Sequence, residues 1–324
     1  MDLFFYLGPI ILMLLLLGFV TYAILFERKV IGWIQNRPGP NQVGPWGLFQ
    51  TIADVAKLLL KEDIVPGKAD RALFKLAPII AFVPAFAILA VIPFTESWQF
   101  GDFAVGLLYY IAISSITIIG ILTGAWASNN KYSLLGGMRS AAQMISYEIP
   151  LVLSVVGIVM TTGSLDLNDI VLAQKKVWFI VPQFLAFLIF LIASLAELNR
   201  TPFDLPEAES ELVAGYHVEY TGFRFAFFML AEYVYVFAMA SLTTCLFLGG
   251  WLPLFGLTMI PGILWFLLKF SLVVFSLFWI RATMPRLRVD QLMQFAWKVL
   301  LPLSLLNIFL TAIFKEIPVL SSFY

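Results

Sequence analysis

Leu3-Phe-Phe-Tyr-Leu-Gly-Pro-Ile-Ile-Leu-Met-Leu-Leu-Leu-Leu-Gly-Phe-Val-Thr-Tyr-Ala-Ile-Leu-Phe26 runs for 24 residues without a charged side chain. As one helix it would be about 36 Å long, enough to cross a hydrocarbon core of about 30 Å. It does not read as a cleaved leader, because it lacks a basic leading segment and an A-x-A site. Glu27-Arg28-Lys29 then restores charge at once, as at a headgroup boundary. Similar apolar runs recur near 73–94, 103–126, 139–162, 177–197, 223–247, 258–280 and 296–314. The chain is 61% hydrophobic and 12% charged, with a mean hydropathy of +0.94. A soluble domain is nearer a quarter charged. The predicted fold is an all-α polytopic membrane protein with about eight transmembrane helices, forming a single transmembrane domain over 1–324.

An even number of spans puts both termini on one side, and lysine and arginine decide which. Arg28, Lys29, Arg37, Lys57, Lys61, Lys68, Arg71 and Lys75 follow the first span. Lys131, Arg139, Arg200, Arg224, Arg281, Arg286 and Arg288 lie in or beside the later loops of the same side. The opposite loops hold Lys175 and Lys176 alone, with Lys315 beyond the last span. The positive-inside rule therefore places the basic loops in the cytoplasm or matrix and both termini outside. Within the first such loop, 28–72, Leu48, Ile52, Val55 and Leu59 recur at helical spacing while Asp54, Lys57 and Lys61 lie off that stripe. This fits an amphipathic helix lying in the interface, or equally a surface helix docked on another loop. Arg37-Pro-Gly-Pro-Asn-Gln-Val-Gly-Pro45 before it is too rich in proline and glycine for regular structure.

Composition also excludes chemistry. The net charge is zero, which gives no hint of nucleic acid as a partner. One cysteine, Cys245, and one histidine, His217, cannot hold an iron–sulfur cluster or a pair of axial haem ligands. No glycine-rich nucleotide loop follows a strand pattern, so flavin and nicotinamide sites are not expected in this chain. Cys245 reads as inert packing and His217 as an ordinary polar loop residue.

The acidic residues are the unusual feature. The stretch Glu197–Glu219, with the loop 198–222 at its centre, packs Glu197, Asp204, Glu207, Glu209, Glu211 and Glu219 against one base, Arg200. Crowded carboxylates raise one another's pKa, and near-neutral carboxylates can exchange protons. Glu207 and Glu211 share a face if the loop is helical. Glu148 and Glu232 each lie about nine residues into a span, roughly 14 Å deep. A charge at that depth costs about 2–3 kcal/mol on insertion scales, so each acid needs protonation, water or a partner. Lys269, inside span seven, is the candidate base at depth. A row from the acidic loop through Glu197 to Glu148 and Glu232 suits a proton or charge relay; two neutral acids bonding their neighbours would look the same in sequence. Glu27, Arg28 and Arg281 are read equally as functional charges or snorkelling anchors.

Five segments together resemble one family: Glu27-Arg-Lys-Val-Ile-Gly-Trp-Ile-Gln-Asn-Arg-Pro-Gly-Pro-Asn41, Arg139 to Glu148, Glu197 to Glu219, Ala231-Glu-Tyr233, and Arg281-Ala-Thr-Met-Pro-Arg-Leu-Arg-Val-Asp-Gln291. They resemble, in order and across nearly the whole chain, the quinone-site membrane subunit of respiratory complex I. Val289 departs mildly, where relatives often carry an aromatic residue. The resemblance implies a subunit of a proton-translocating NADH:quinone oxidoreductase with no redox centre of its own and quinone as substrate. It implies that Glu27, Arg28, Arg37, Asp54 and Arg281 line or support the quinone passage. It implies that Asp204, Glu207, Glu209 and Glu211 form an acidic loop beneath the chamber, and that Glu219, Glu197, Glu148 and Glu232 continue toward the antiporter-like subunits. The implied partners are the peripheral-arm subunits on the cytoplasmic loops, other membrane-arm subunits laterally, and the lipid bilayer. The implied location is a bacterial plasma membrane, or a mitochondrial inner membrane if organellar. An equivalent subunit of a hydrogenase-type complex is the nearest alternative. A stand-alone proton-coupled transporter also suits mid-membrane acids, but the chain lacks paired Gly/Pro-interrupted spans.

Overall fold

The computed structural model describes residues 2–96, 98–101, 103–205, 209–254 and 260–316, with the side chains of 2–6, 209 and 210 left out. Glu207 therefore lies outside the described residues, as does the side chain of Glu209. Among the described residues all regular structure is helical. The elements are α1 (Asp2–Ile34), α2 (Gln50–Leu60), α3 (Arg71–Ala87), α4 (Gly106–Ala127), α5 (Lys131–Thr162), α6 (Leu167–Ala173), α7 (Phe184–Glu197), α8 (Glu209–Leu212), α9 (Gly222–Phe247), α10 (Gly262–Thr283), α11 (Val289–Phe295) and α12 (Leu301–Glu316). A π-helical turn, Ala296–Leu300, makes α11 and α12 one continuous rod. Seven helices are long and apolar enough to span, and α7 is a shorter apolar helix of 14 residues. The protein is a multi-pass membrane protein.

Several boundaries differ from the hydropathy reading. The span expected at 177–197 is helical only from Phe184. The segment before it turns irregularly and is held by side chains: Gln174 Nε2 donates to the Cys245 carbonyl (2.8 Å), and Gln183 Nε2 donates to Thr311 Oγ1 (2.9 Å). Buried in protein, irregular backbone at membrane depth can satisfy its polar groups; facing lipid it could not. The span expected from 139 starts at Lys131, where the Asn130 side chain accepts from Tyr132 N and caps the helix. Glu148 is thus the eighteenth residue of α5, not the ninth. The last helix likewise begins at Val289 rather than 296.

α9 is the most buried long helix and forms the axis of the core, packing against α3, α10, α1 and α6. α5 packs against α7, α4 and α12. α3 and α4 approach so closely that a methyl group on Gly120 would meet the Ala81 amide nitrogen at 2.6 Å. The Pro/Gly connector is ordered: Gly47 sits at φ +77°, and a side chain there would strike the Pro40 carbonyl. The apolar stripe Leu48, Ile52, Val55 and Leu59 stays exposed, so α2 has not buried that face on this chain. That face is open to a bilayer interface and to a partner surface alike.

Candidate functional site

Glu27 sits seven residues before the end of α1 and is only 3% exposed. Three groups from distant parts of the chain converge on it. Arg200 Nη1 donates to both carboxylate oxygens (3.0 and 2.9 Å), Tyr233 OH donates to Oε2 (2.8 Å), and Arg281 closes the other side through Nη1. The Arg200 guanidinium also lies over the Tyr233 ring, 4.5 Å from its centroid. Burial alone would favour a neutral guanidine, but the facing Glu27 carboxylate overrides it and raises the Arg200 pKa above its ordinary value. Glu232 acts on Arg200 electrostatically as well. Glu27 is therefore no snorkelling anchor; it is the hub of a buried charge cluster.

The neighbouring Arg28 points elsewhere and pairs with Asp54 of α2 at 2.7 Å, and Gln50 Nε2 supports the same carboxylate at 3.1 Å. Arg28 lines two cavities. One, of about 340 Å³, runs between α2 and the start of α9 past Asp54, Lys57, Lys61 and Phe225. The other, of about 460 Å³, is shared with Ile31, Arg37 and Gln50. Arg37 itself donates to Gln35 Oε1 at 2.8 Å. Of the five residues expected at the quinone passage, Glu27 and Arg281 meet in the buried cluster, while Arg28, Asp54 and Arg37 line the cavities beside α1 and α2.

The acids divide differently from the sequence reading. Glu211 is exposed and bound to Arg139 on α5 at 2.6 Å. The hydrogen bond and charge of Arg139, aided by Arg286 and Arg288, hold its carboxyl below the ordinary carboxylate range. Mutual repulsion within the loop does not govern this residue, contrary to the expectation of raised pKa values. Glu219 accepts from Asn130 Nδ2 at 2.6 Å, at the α4–α5 turn. The Asp204 carbonyl accepts from Arg286.

Deeper, Glu197 at the end of α7 and Glu232 of α9 line one small cavity with Tyr216 and Tyr235. Glu232 is held from the loop side by Tyr216 OH (3.0 Å) and lies 3.5 Å from His217 Nε2. Glu197 interacts electrostatically with Glu148, whose carboxyl binds Ser115 of α4. Glu197 therefore links Glu232, across the shared cavity, to Glu148. Gln143 Nε2 fixes the chain after α7 by donating to the carbonyls of Ala196 (2.8 Å) and Phe203 (2.7 Å).

Three sequence expectations change. Lys269 does not meet a mid-membrane acid: its Nζ donates to the carbonyls of Gly250 (2.9 Å) and Leu252 (2.7 Å) and lies over Trp178. His217 is buried beside Glu232 and is no ordinary loop residue. Among the described residues Arg200 pairs with Glu27 and not with the acids around it in sequence. The signal for Arg200 was present, since a lone base in an acidic apolar loop has to be paired, but its partner is 173 residues away.

Comparison with known proteins gives the family. The family described as NADH dehydrogenase matches residues 8–312. The chain belongs to the NADH dehydrogenase family. Within the NADH dehydrogenase family, it is 70% identical to the H subunit of NADH-quinone oxidoreductase from Brevibacillus brevis over 313 residues, covering 96% of this chain and 93% of the relative. It is 70% identical to the counterpart from Anoxybacillus flavithermus over 307 residues, covering 94% and 92%. The Bacillus cytotoxicus counterpart is 69% identical over 318 residues, covering 98% and 96%.

Proposed function

We propose that this chain is the membrane-arm subunit that frames the quinone chamber of a proton-translocating NADH:quinone oxidoreductase. It works with the other subunits of that complex, in a bacterial plasma membrane, with the α1–α2, α4–α5, α7–α9 and α10–α11 connections facing the cytoplasm. The α1–α2, α7–α9 and α10–α11 connections dock the hydrophilic arm, which delivers the electrons. The names of the relatives support this reading, and one observation carries it: Arg200 stands electrostatically between Glu27 at the passage and Glu232 at the head of the inner acids.

Reduction of a quinone to a quinol takes up two protons and so changes charge where the substrate lies. Arg28 and Arg281 steer the polar headgroup, while the exposed apolar side of α2 admits the tail from the bilayer. A change in charge near Glu27 alters the field that Arg200 presents to Glu232. The shift then passes to Glu197 and Glu148 across the shared cavity.

The test is Glu232→Gln in the intact complex. NADH oxidation with an artificial acceptor should stay normal while quinone-linked proton translocation is lost; full translocation in the variant would sink the relay. Arg281→Ala should raise the apparent KM for short-tail quinones several-fold, and unchanged quinone kinetics would remove Arg281 from the passage.

A further inference from the structure

Away from both acid clusters, a cavity of about 510 Å³ opens where the chain enters α3 and turns from α4 into α5. Lys68, Asp70, Trp126, Asn129, Asn130 and Lys131 surround it, with Leu134 at its inner side. It lies where α3 and α4 reach the end of their apolar spans and α5 begins, the level of lipid headgroups. Trp126, in the last turn of α4, is 70% exposed, as suits an indole at that boundary.

The charges around the cavity favour an anion. Lys68 and Lys131 are both exposed, and neither is engaged in an ion pair among the described residues. The one acid on the lining, Asp70, turns its carboxylate to the start of α3, where Oδ1 accepts from Ala72 N (3.0 Å) and Leu73 N (3.3 Å). Glu219 touches the edge of the site only through Asn130, whose Nδ2 it accepts at 2.6 Å. Asn129 Nδ2 donates to the Lys68 carbonyl (3.0 Å) and Asp70 N to the Ala127 carbonyl (3.1 Å), which hold the two lysine-bearing segments together. The start of α5 adds the positive end of a 32-residue helix.

We propose that this cavity binds the phosphate headgroup of an anionic phospholipid. Lys68 and Lys131 clamp the phosphate, Trp126 packs on the glycerol region, and the acyl chains descend along the exposed apolar side of α4 and the Leu134–Leu135 face of α5. A free phosphate would satisfy the lysines but gains nothing from the indole or the apolar wall, so the lipid is the favoured source.

The intact complex is reconstituted in nanodiscs carrying brominated phosphatidylglycerol or brominated phosphatidylcholine, and Trp126 emission is taken as the difference between the native protein and Trp126→Phe. Each lysine near an anionic surface contributes enough that the native site should prefer the anionic lipid on the order of 30-fold. Preferential quenching by brominated phosphatidylglycerol is expected, and it should vanish in Lys68→Gln/Lys131→Gln and persist in Lys68→Arg/Lys131→Arg. Equal quenching by both lipids in the native complex, a measurement that needs no lysine variant, overturns the site. Loss of the preference on adding millimolar inorganic phosphate at constant ionic strength assigns the site to a soluble anion and overturns the lipid.

Discussion

Arg200 holds the largest share of the site's specificity in one side chain. Its Nη1 reaches both oxygens of Glu27 while the planar guanidinium lies over the Tyr233 ring, and an ammonium cannot reproduce that stacking. Removing one partner of a buried pair leaves an uncompensated charge and costs about 3–5 kcal/mol. Arg200→Ala is therefore expected to lower the thermal stability of the assembled complex, and Arg200→Lys to restore only part of it; equal melting curves for Arg200→Lys and the native protein would contradict the role of the stacked guanidinium. Glu211 behaves in the opposite manner because it is exposed. Its folded pKa is depressed by Arg139, so the pair's contribution is complete above the unfolded value of about 4.3 and is lost as pH falls through the folded value. The protection of amides in 209–219, relative to the intrinsic exchange rate at each pH, should be insensitive to this pair between about pH 6 and 8 and should fall below about pH 4. Glu211→Gln should abolish that acid sensitivity. At this scale the sequence was half readable. Its motifs marked Glu27, Arg281, Glu197 and Glu232, but Arg200, Tyr233, Tyr216 and His217 act through contacts that only the folded chain creates.

At the scale of the elements, hydropathy found the spans because a helix in lipid must satisfy its own backbone and show apolar side chains outward. It failed where polar residues lie on helices buried in protein. Lys131 to Met138 reads as a loop, with charge and a Gly136-Gly137 pair, yet it is the first two turns of α5. Gly136 lies against the Gly215 backbone and Gly137 against Ala125, so the pair permits close packing instead of breaking the helix. The same logic governs Gly120 between α3 and α4. Gly120→Ala must push the backbones apart, and overpacking of this kind costs about 1–3 kcal/mol. Reduced yield of assembled complex is the expected result; native yield and melting temperature would show that α3 can shift freely.

For the whole molecule, the asymmetry of charge makes a topological prediction. Cys245 is fully buried, so a cysteine introduced elsewhere can be labelled selectively. In everted vesicles a membrane-impermeant maleimide should label Glu62→Cys and spare Lys175→Cys, and right-side-out vesicles should give the reverse. The opposite pattern would invert the proposed orientation and with it the docking face for the hydrophilic arm.

One consequence concerns how the chain is made. A helix of 14 residues is about 21 Å long, some 9 Å short of the oily layer, and the remaining depth is crossed by turns. Gln183, at the junction, relies on Thr311 and Asn307, which lie 128 and 124 residues further along the chain. α7 can leave the translocon early but cannot settle until α12 arrives, so ribosome-stalled chains ending before residue 300 should keep α7 in contact with the insertion machinery or a chaperone.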